Sequence, residues 1–364
     1  MTALDLLSGD ARLFVEKIWA SRTHLHRADP AALVGLLSLE DADRLLTASA
    51  LRAPALRIAH DGSVLPEKKF TRPATIAGQQ LTGLVDPTKA LALFRAGATI
   101  VFQGLHRYHQ PLADLVAELE LELGHPCQAN AYLTPPGSQG FAVHSDTHDV
   151  FVFQTAGTKD WEVDGDPILM EPGLSLYLPT GTPHAARAQD AVSLHVTIGI
   201  NQLTWRGLLR RTVEGLLPDD EHLPAGYLDD PAALRDGLAQ RLRALADRIG
   251  TVDTGRAAET EVRRFLTSRS PRLAGGLLDA VVEIGDETRL RRRAGRPCVL
   301  RDVPDGLDVL LGDRTLTLPA RLRPVLEQLR LATEVTPAEL PLDRQSRLVL
   351  CRRLVREGML EVAR

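Results

Sequence analysis

The sequence predicts an α+β protein with a β-rich centre set between helical regions. Three observations predict it. Residues 126–201 alternate short β-type runs with Gly/Pro turns. Residues 205–290 carry amphipathic helical patterns without strand signals. From about residue 297 a small mixed pattern of strands and helices begins.

The first hundred residues mix short helical patterns with loops. "LFVEKIWASRTHLHR" places apolar residues at helical spacing, and "DPAALVGLLSLEDADRLLTAS" repeats this after an Asp-Pro start. "PTKALALFRAGATIVFQGLHRY" reads as a helix, a stop at Gly97 and a strand over residues 99–102. "PLADLVAELELELG" is a helix with Pro111 in its first turn and Gly124 as its stop.

The β-rich centre contains "CQANAYL", "DVFVFQ", "KDWEV", "LSLYLP" and "AVSLHVTIGI", separated by turn signals such as "TPPGSQG", "DGDP" and "PTGTP". This spacing suits a sandwich or small barrel. "TWRGLLRRTVEGLL", "DPAALRDGLAQRLRALADRIG" and "TGRAAETEVRRFLTSR" then form helices, and "ETRLRRRAGRP" reads as a basic link. In the last segment "CVLRDV" and "DVLLGDRTLTLP" are strands and "ARLRPVLEQLR" and "DRQSRLVLCRRLVREG" are helices. "TPAELP" fits a short third helix and "MLEVAR" a final strand. That order resembles a winged helix.

Composition excludes several classes. The chain has 364 residues, 43 basic and 47 acidic, for a net charge of −4. It is therefore no electrostatic match for nucleic acid or an anionic membrane. Residues 301–364 hold 11 Arg against 10 Asp plus Glu, too balanced for a DNA-reading footprint. Cys127, Cys298 and Cys351 are too few and too far apart for a disulfide framework or a cysteine zinc site. No apolar run approaches the roughly 20 residues that span a bilayer, and the N-terminus lacks a signal-peptide pattern. A cytoplasmic protein is expected.

The chemistry concentrates in "HSDTHDVFVFQ". On an extended segment His144 and Asp146 project to one face. His184, in "LPTGTPHAAR", begins another β segment that an antiparallel barrel can return beside them. Two imidazoles and one carboxylate on one side of a metal make the facial triad of non-haem Fe(II) oxygenases. The same donors also suit zinc, manganese or nickel. Lys159, about one hairpin further on, is placed to hold a remote carboxylate as a point charge.

The run "NAYLTPPGSQGFAVHSDTHDVFVFQTAGTKDWEV", with "EPGLSLYLPTGTPHAA" and "SLHVTIGI", resembles the JmjC-type cupin family that includes the ribosomal oxygenases. The resemblance covers most of the chain. It implies a double-stranded β-helix (cupin/JmjC jelly roll) in a catalytic domain over residues 1–204. It further implies a helical dimerisation region over 205–296 and a winged helix over 297–364. The activity it implies is Fe(II)- and 2-oxoglutarate-dependent hydroxylation of a protein side chain, an Arg or His of a ribosomal protein. The cosubstrate would be decarboxylated to succinate. The partners the resemblance implies are a protein substrate and a second copy of the chain, with neither nucleic acid nor membrane.

Residue by residue, His144, Asp146 and His184 match the family's metal ligands, and Lys159 the residue that pairs with the distal carboxylate of 2-oxoglutarate. Asn130 and Thr197 match polar cosubstrate contacts, and Tyr132 a tyrosine on the substrate side. Relatives are commonly Pro-rich where Ala142-Val143 stand and aromatic at Ser145, departures that weaken the transfer of substrate identity. His148 shares the parity of His144 and Asp146 and is read as supporting a ligand or as structural. His195 either lines the site or is a satisfied barrel histidine. His106 and His109 receive no role. The rival reading is a metal-binding cupin without oxygenase activity, sensing a ligand and acting through the winged helix.

Overall fold

Met1–Gln202 build one unit, with thirteen strands and six helices among the described residues, and Leu203–Arg364 build a second. The computed structural model describes residues 1–138, 143–188, 190–217, 222–228 and 231–364. The end of the "TPPGSQG" turn signal, Ala142 and the expected helix start at Asp230 lie outside these residues.

In the first unit the strands are β1 (His24–Arg27), β2 (Leu56–His60), β3 (Ser63–Val64), β4 (Thr71–Ile76), β5 (Gln79–Val85) and β6 (Thr99–Phe102). They continue with β7 (Cys127–Thr134), β8 (Asp149–Ala156), β9 (Lys159–Val163), β10 (Asp166–Met170), β11 (Leu174–Leu178), β12 (His184–Ala188) and β13 (Ser193–Ile200). The helices are α1 (Ala3–Ser8), α2 (Ala11–Lys17), α3 (Pro30–Val34), α4 (Leu39–Ala48), α5 (Pro87–Arg95) and α6 (Gln110–Leu123). The large antiparallel sheet runs β1-β11-β8-β13-β7-β6-β2-β3, and a smaller one runs β10-β9-β12.

Strand parity divides this unit into two interiors. Phe151, Phe153, Ala129, Ala131, Val196 and Ile198 point to one face and join the main core with Phe14, Leu112, Val116 and Leu119 of the helices. Val150, Val152, Leu176 and Leu178 point the other way, against Trp161 and Val163 of the small sheet. The run "DVFVFQ" is apolar on both faces because both faces are covered.

The first hundred residues depart from expectation. "THLHR" does not continue a helix; β1 pairs with β11, His24 opposite Tyr177. A four-residue edge strand alternating half-buried and exposed carries too short a pattern to separate from a helix end. β2 and the β4–β5 hairpin occupy stretches expected to be loops. Helix α5 stops as expected before Gly97, whose φ is +99°.

Gly157 turns β8 into β9, two residues before Lys159. Its φ is +62°, and a Cβ there would stand 2.0 Å from Val192 O. Gly157→Ala is expected to cost roughly 2–4 kcal/mol, from left-handed backbone strain plus overpacking. A urea-denaturation midpoint measures this.

The second unit holds α7 (Trp205–Glu214), α8 (Ala232–Gly250), α9 (Thr254–Thr267) and α10 (Gly276–Asp279). Strands β14 (Leu290–Arg292), β15 (Val299–Val303), β16 (Gly306–Leu310) and β17 (Thr315–Leu318) follow. Then come α11 (Arg323–Leu331), α12 (Arg344–Arg356) and β18 (Leu360–Val362). β15-β16-β17 form one sheet, and β14 pairs with β18. "TPAELP" holds a short 3-10 turn, Pro337–Glu339.

The expected basic link is not a link. Arg293 and Arg296 are 4% and 3% exposed. Arg293 pairs with Asp279 at 2.5 Å, and Arg296 pairs with Asp313. Arginine makes such buried pairs tolerable by satisfying several acceptors at once. Among the described residues no helix is long and apolar enough to cross a membrane.

Candidate active site

The site forms where the two sheets face each other. His144 precedes β8 and makes an isolated antiparallel bridge with His184, the first residue of β12. Two backbone hydrogen bonds close it: His144 N–H to His184 O at 3.0 Å and His184 N–H to His144 O at 2.8 Å. Asp146 lies on the same segment as His144. One ligand-capable atom from each of His144, Asp146 and His184 lies within 4.8 Å of the others.

His184 is the buried member, His144 is exposed and Asp146 is intermediate. His184 Nδ1 is 3.0 Å from Thr182 O. A carbonyl only accepts, so Nδ1 carries the proton and Nε2 is left unprotonated. Nε2 stands 3.7 Å from Asp146 Oδ2. Burial lowers the imidazole pKa, reinforced by His144 and opposed by the Thr182 hydrogen bond and Asp146. A neutral imidazole beside a second imidazole and a carboxylate is a donor set for a divalent cation.

A cavity runs inward from these three residues, lined also by Tyr132, Val150, Val152, Trp161, Ala186, Thr197, His195, Thr99 and Lys159. Lys159 is 2% exposed. Its ammonium donates to Thr134 Oγ1 at 3.1 Å and lies 3.4 Å from His195 Nδ1. Among the described residues no carboxylate comes within ion-pair distance of it. Burial lowers its pKa to about 7. Burial, with Lys159 adding to it, holds the His195 pKa well below its ordinary value. Neutral His195 is thus an acceptor for Lys159. It stacks on Tyr132, with centroids 4.8 Å apart, and meets Trp161 edge-on at 5.5 Å.

Thr197 lines the cavity. Asn130 pairs opposite it in register, but Asn130 Oδ1 accepts from Gly104 N–H at 2.9 Å and the residue is not among those lining the cavity. His148 does not face the site. The chain bends at residues 147–148, which breaks the parity, and His148 packs on Gly199, where a Cβ would stand 2.7 Å from its Nε2. His106 Nδ1 accepts from Ala129 N–H, and His109 Nε2 meets Leu36 O, so both are bonded within the fold. Val143 is 64% exposed and Ser145 is exposed.

Sequence reasoning missed Thr99, Thr134 and Trp161. Thr134 shares strand parity with Asn130 and Tyr132, a signal that was present. Thr99 lies 3.2 Å from Thr134, oxygen to oxygen. Trp161 keeps its buried Nε1–H without an acceptor among the described residues. An unpaired buried indole N–H and an ammonium without a counter-charge are both costly in a closed protein. Together they fit a cavity that takes an anionic, hydrogen-bond-accepting molecule beside a metal.

Part of the chain matches known proteins. The family model described as the JmjC domain matches residues 109–168 and 164–208. Ribosomal oxygenase 1 of Rattus norvegicus is 28% identical over 285 residues, covering 65% of this chain and 46% of the relative. The bifunctional lysine-specific demethylase and histidyl-hydroxylase NO66 of Branchiostoma floridae is 36% identical over 160 residues, covering 40% and 26%. The chain spans less than half the length of these curated relatives. The chain also shares its fold with the Escherichia coli ribosomal oxygenase YcfD, at 18% identity and a TM-score of 0.54, covering 97% and 98% of the two chains. A further structure of YcfD is a complex with cobalt and 2-oxoglutarate, again with a TM-score of 0.54. The likeness bears out a JmjC/cupin-type fold with a large antiparallel sheet and helices.

Proposed function

We propose that this chain is an Fe(II)- and 2-oxoglutarate-dependent oxygenase that hydroxylates a protein side chain, an Arg or His of a ribosomal protein. The observation that carries the reading is Lys159, a buried ammonium without a carboxylate partner among the described residues, in the cavity that also holds the triad. His144, Asp146 and His184 would hold the metal, and Lys159 with Thr134 would hold the distal carboxylate of 2-oxoglutarate. Thr197 would contact the cosubstrate. Asn130 belongs to the same group through its register with Thr197, with Oδ1 already engaged. Tyr132 would face the substrate. When bound, the metal supplies oxygen activation. The chain's residues bind the cosubstrate, fix its orientation and exclude water with the Val150, Val152 and Trp161 walls. The names of the relatives and the ligands of YcfD support this reading.

The reading extends to the rest of the chain. Residues 1–204 would be catalytic, 205–296 a dimerisation region and 297–364 a winged helix. No residue of α8 is buried, and Leu238, Leu242 and Ile249 are 56%, 56% and 46% exposed. A second copy of the chain would cover them, and light scattering would then give twice 39.7 kDa. Nucleic acid is not a partner in this reading. Arg344 and Arg347 of α12 are engaged by Asp286, and Arg352 by Ile284 O. The protein would work in the cytoplasm, where ribosomes are.

The substrate class is tested by mass spectrometry of ribosomal proteins from cells with and without the gene. One oxygen atom gained on an Arg or His, and lost with the gene, supports it. Identical ribosomal proteins in both would remove the ribosomal assignment. The non-oxygenase reading, a ligand-sensing cupin, would bind metal without turning over 2-oxoglutarate.

A further inference from the structure

Asp149 is the first residue of β8, three positions after Asp146, and is 1% exposed. Its two oxygens serve different partners. Oδ1 accepts from Thr180 N–H and from Thr180 Oγ1–H, both at 2.7 Å. Oδ2 accepts from Tyr177 Oη–H, and Tyr177 Oη in turn accepts from Ala20 N–H at 2.9 Å. Among the described residues no cation pairs with this carboxylate. Three fixed donors take the place of water around it.

Thr180 lies in the turn between β11 and β12, the turn that delivers His184. Further bonds order the same turn. Gly181 N–H donates to Asp146 O at 3.0 Å, and Thr182 N–H to Pro179 O at 3.2 Å. Thr182 O then accepts His184 Nδ1–H. Asp149 therefore sits on the segment that carries His144 and Asp146 and grips the segment that carries His184. Metal-ligating side chains are held in place by such outer partners, whose loss typically costs about 10–100-fold in metal affinity.

We infer that Asp149 is a positioning residue for the metal site, acting through Oδ1 and Thr180 to set His184 against His144 and Asp146. The inference rests on the triad reading above. The Oδ2 arm to Tyr177 anchors the carboxylate to the β1-side of the fold and does not touch the ligand turn. The two arms can be cut separately.

The test uses the full chain, Co(II) as the probe, and two readouts: the visible Co(II) spectrum with its titration, and thermal melting. Thr180→Val removes one donor to Oδ1 and keeps the shape of the side chain. It is expected to weaken Co(II) binding about tenfold and to alter the Co(II) spectrum. Tyr177→Phe, at a fully buried residue bonded to the same carboxylate, is expected to lower the melting temperature while leaving Co(II) affinity within about twofold. Asp149→Asn should show both effects. If Thr180→Val binds Co(II) with the native affinity and spectrum, the inference is overturned whether or not Asp149→Asn folds. A wild-type chain that binds no Co(II) would overturn the triad reading itself, and the inference with it.

Discussion

His184→Ala is expected to bind Co(II) or Mn(II) more than a hundredfold more weakly than the native chain while keeping its fold. Structural four-ligand sites bind zinc with about 10–16 kcal/mol, so one ligand is worth roughly 3 kcal/mol, over a hundredfold in affinity. The His184 side chain makes one local hydrogen bond, to Thr182 O. The backbone bridge to His144 survives the substitution, because both of its bonds are main-chain. A stability loss of about 1 kcal/mol is the expected side effect. Titration calorimetry with Co(II), beside a thermal melt, separates the two. Native affinity in His184→Ala would remove it from the ligand set.

Lys159→Met is expected to act oppositely on stability and on cosubstrate binding. The ammonium is buried, and its folded pKa of about 7 lies below the ordinary 10.5. Between these values the unfolded chain binds more protons than the folded one, so native stability rises with pH across that window. The cost of burying Lys159 is in full force below about pH 7 and is gone above pH 10.5. Methionine, of similar shape and without charge, should therefore stabilise the chain most at pH 6–7, by up to about 5 kcal/mol, and little at pH 10.5. Affinity for 2-oxoglutarate should fall, because a carboxylate entering beside an apolar side chain has lost its counter-charge. Truncating one member of a buried charge pair costs about 2–5 kcal/mol, some thirtyfold to several thousandfold. Co(II) binding should stay native. Denaturation midpoints at three pH values and a 2-oxoglutarate titration with Mn(II) present measure both arms. An unchanged 2-oxoglutarate affinity would withdraw the role of Lys159.

Much of the site was legible in the sequence, for reasons tied to the strand period. His144 and Asp146 precede an apolar run too long to be a loop, and His184 opens a later β segment. A barrel that closes antiparallel can bring such segments together, and the His144–His184 bridge does so here. Lys159 follows a Gly turn at hairpin distance from that run. What stayed hidden depends on bends and partners. His148 has the right parity, and the bend at residues 147–148 turns it onto Gly199. Asp149 looks like one more polar residue at a strand entrance; its burial depends on Tyr177 and Thr180, far along the chain. Arg293 and Arg296 sit in a run that reads as solvated, and their acids, Asp279 and Asp313, lie 14 and 17 positions away. β1 and β2 are short, and their pairing partners, not their own patterns, make them strands.

The most direct test supplies Fe(II), carboxyl-labelled 2-oxoglutarate and a ribosomal fraction to the full chain and follows succinate and labelled CO2. Fe(II)-dependent release of both is expected, and its loss in His184→Ala. No binding of 2-oxoglutarate, even with Mn(II) in place of iron, would contradict it.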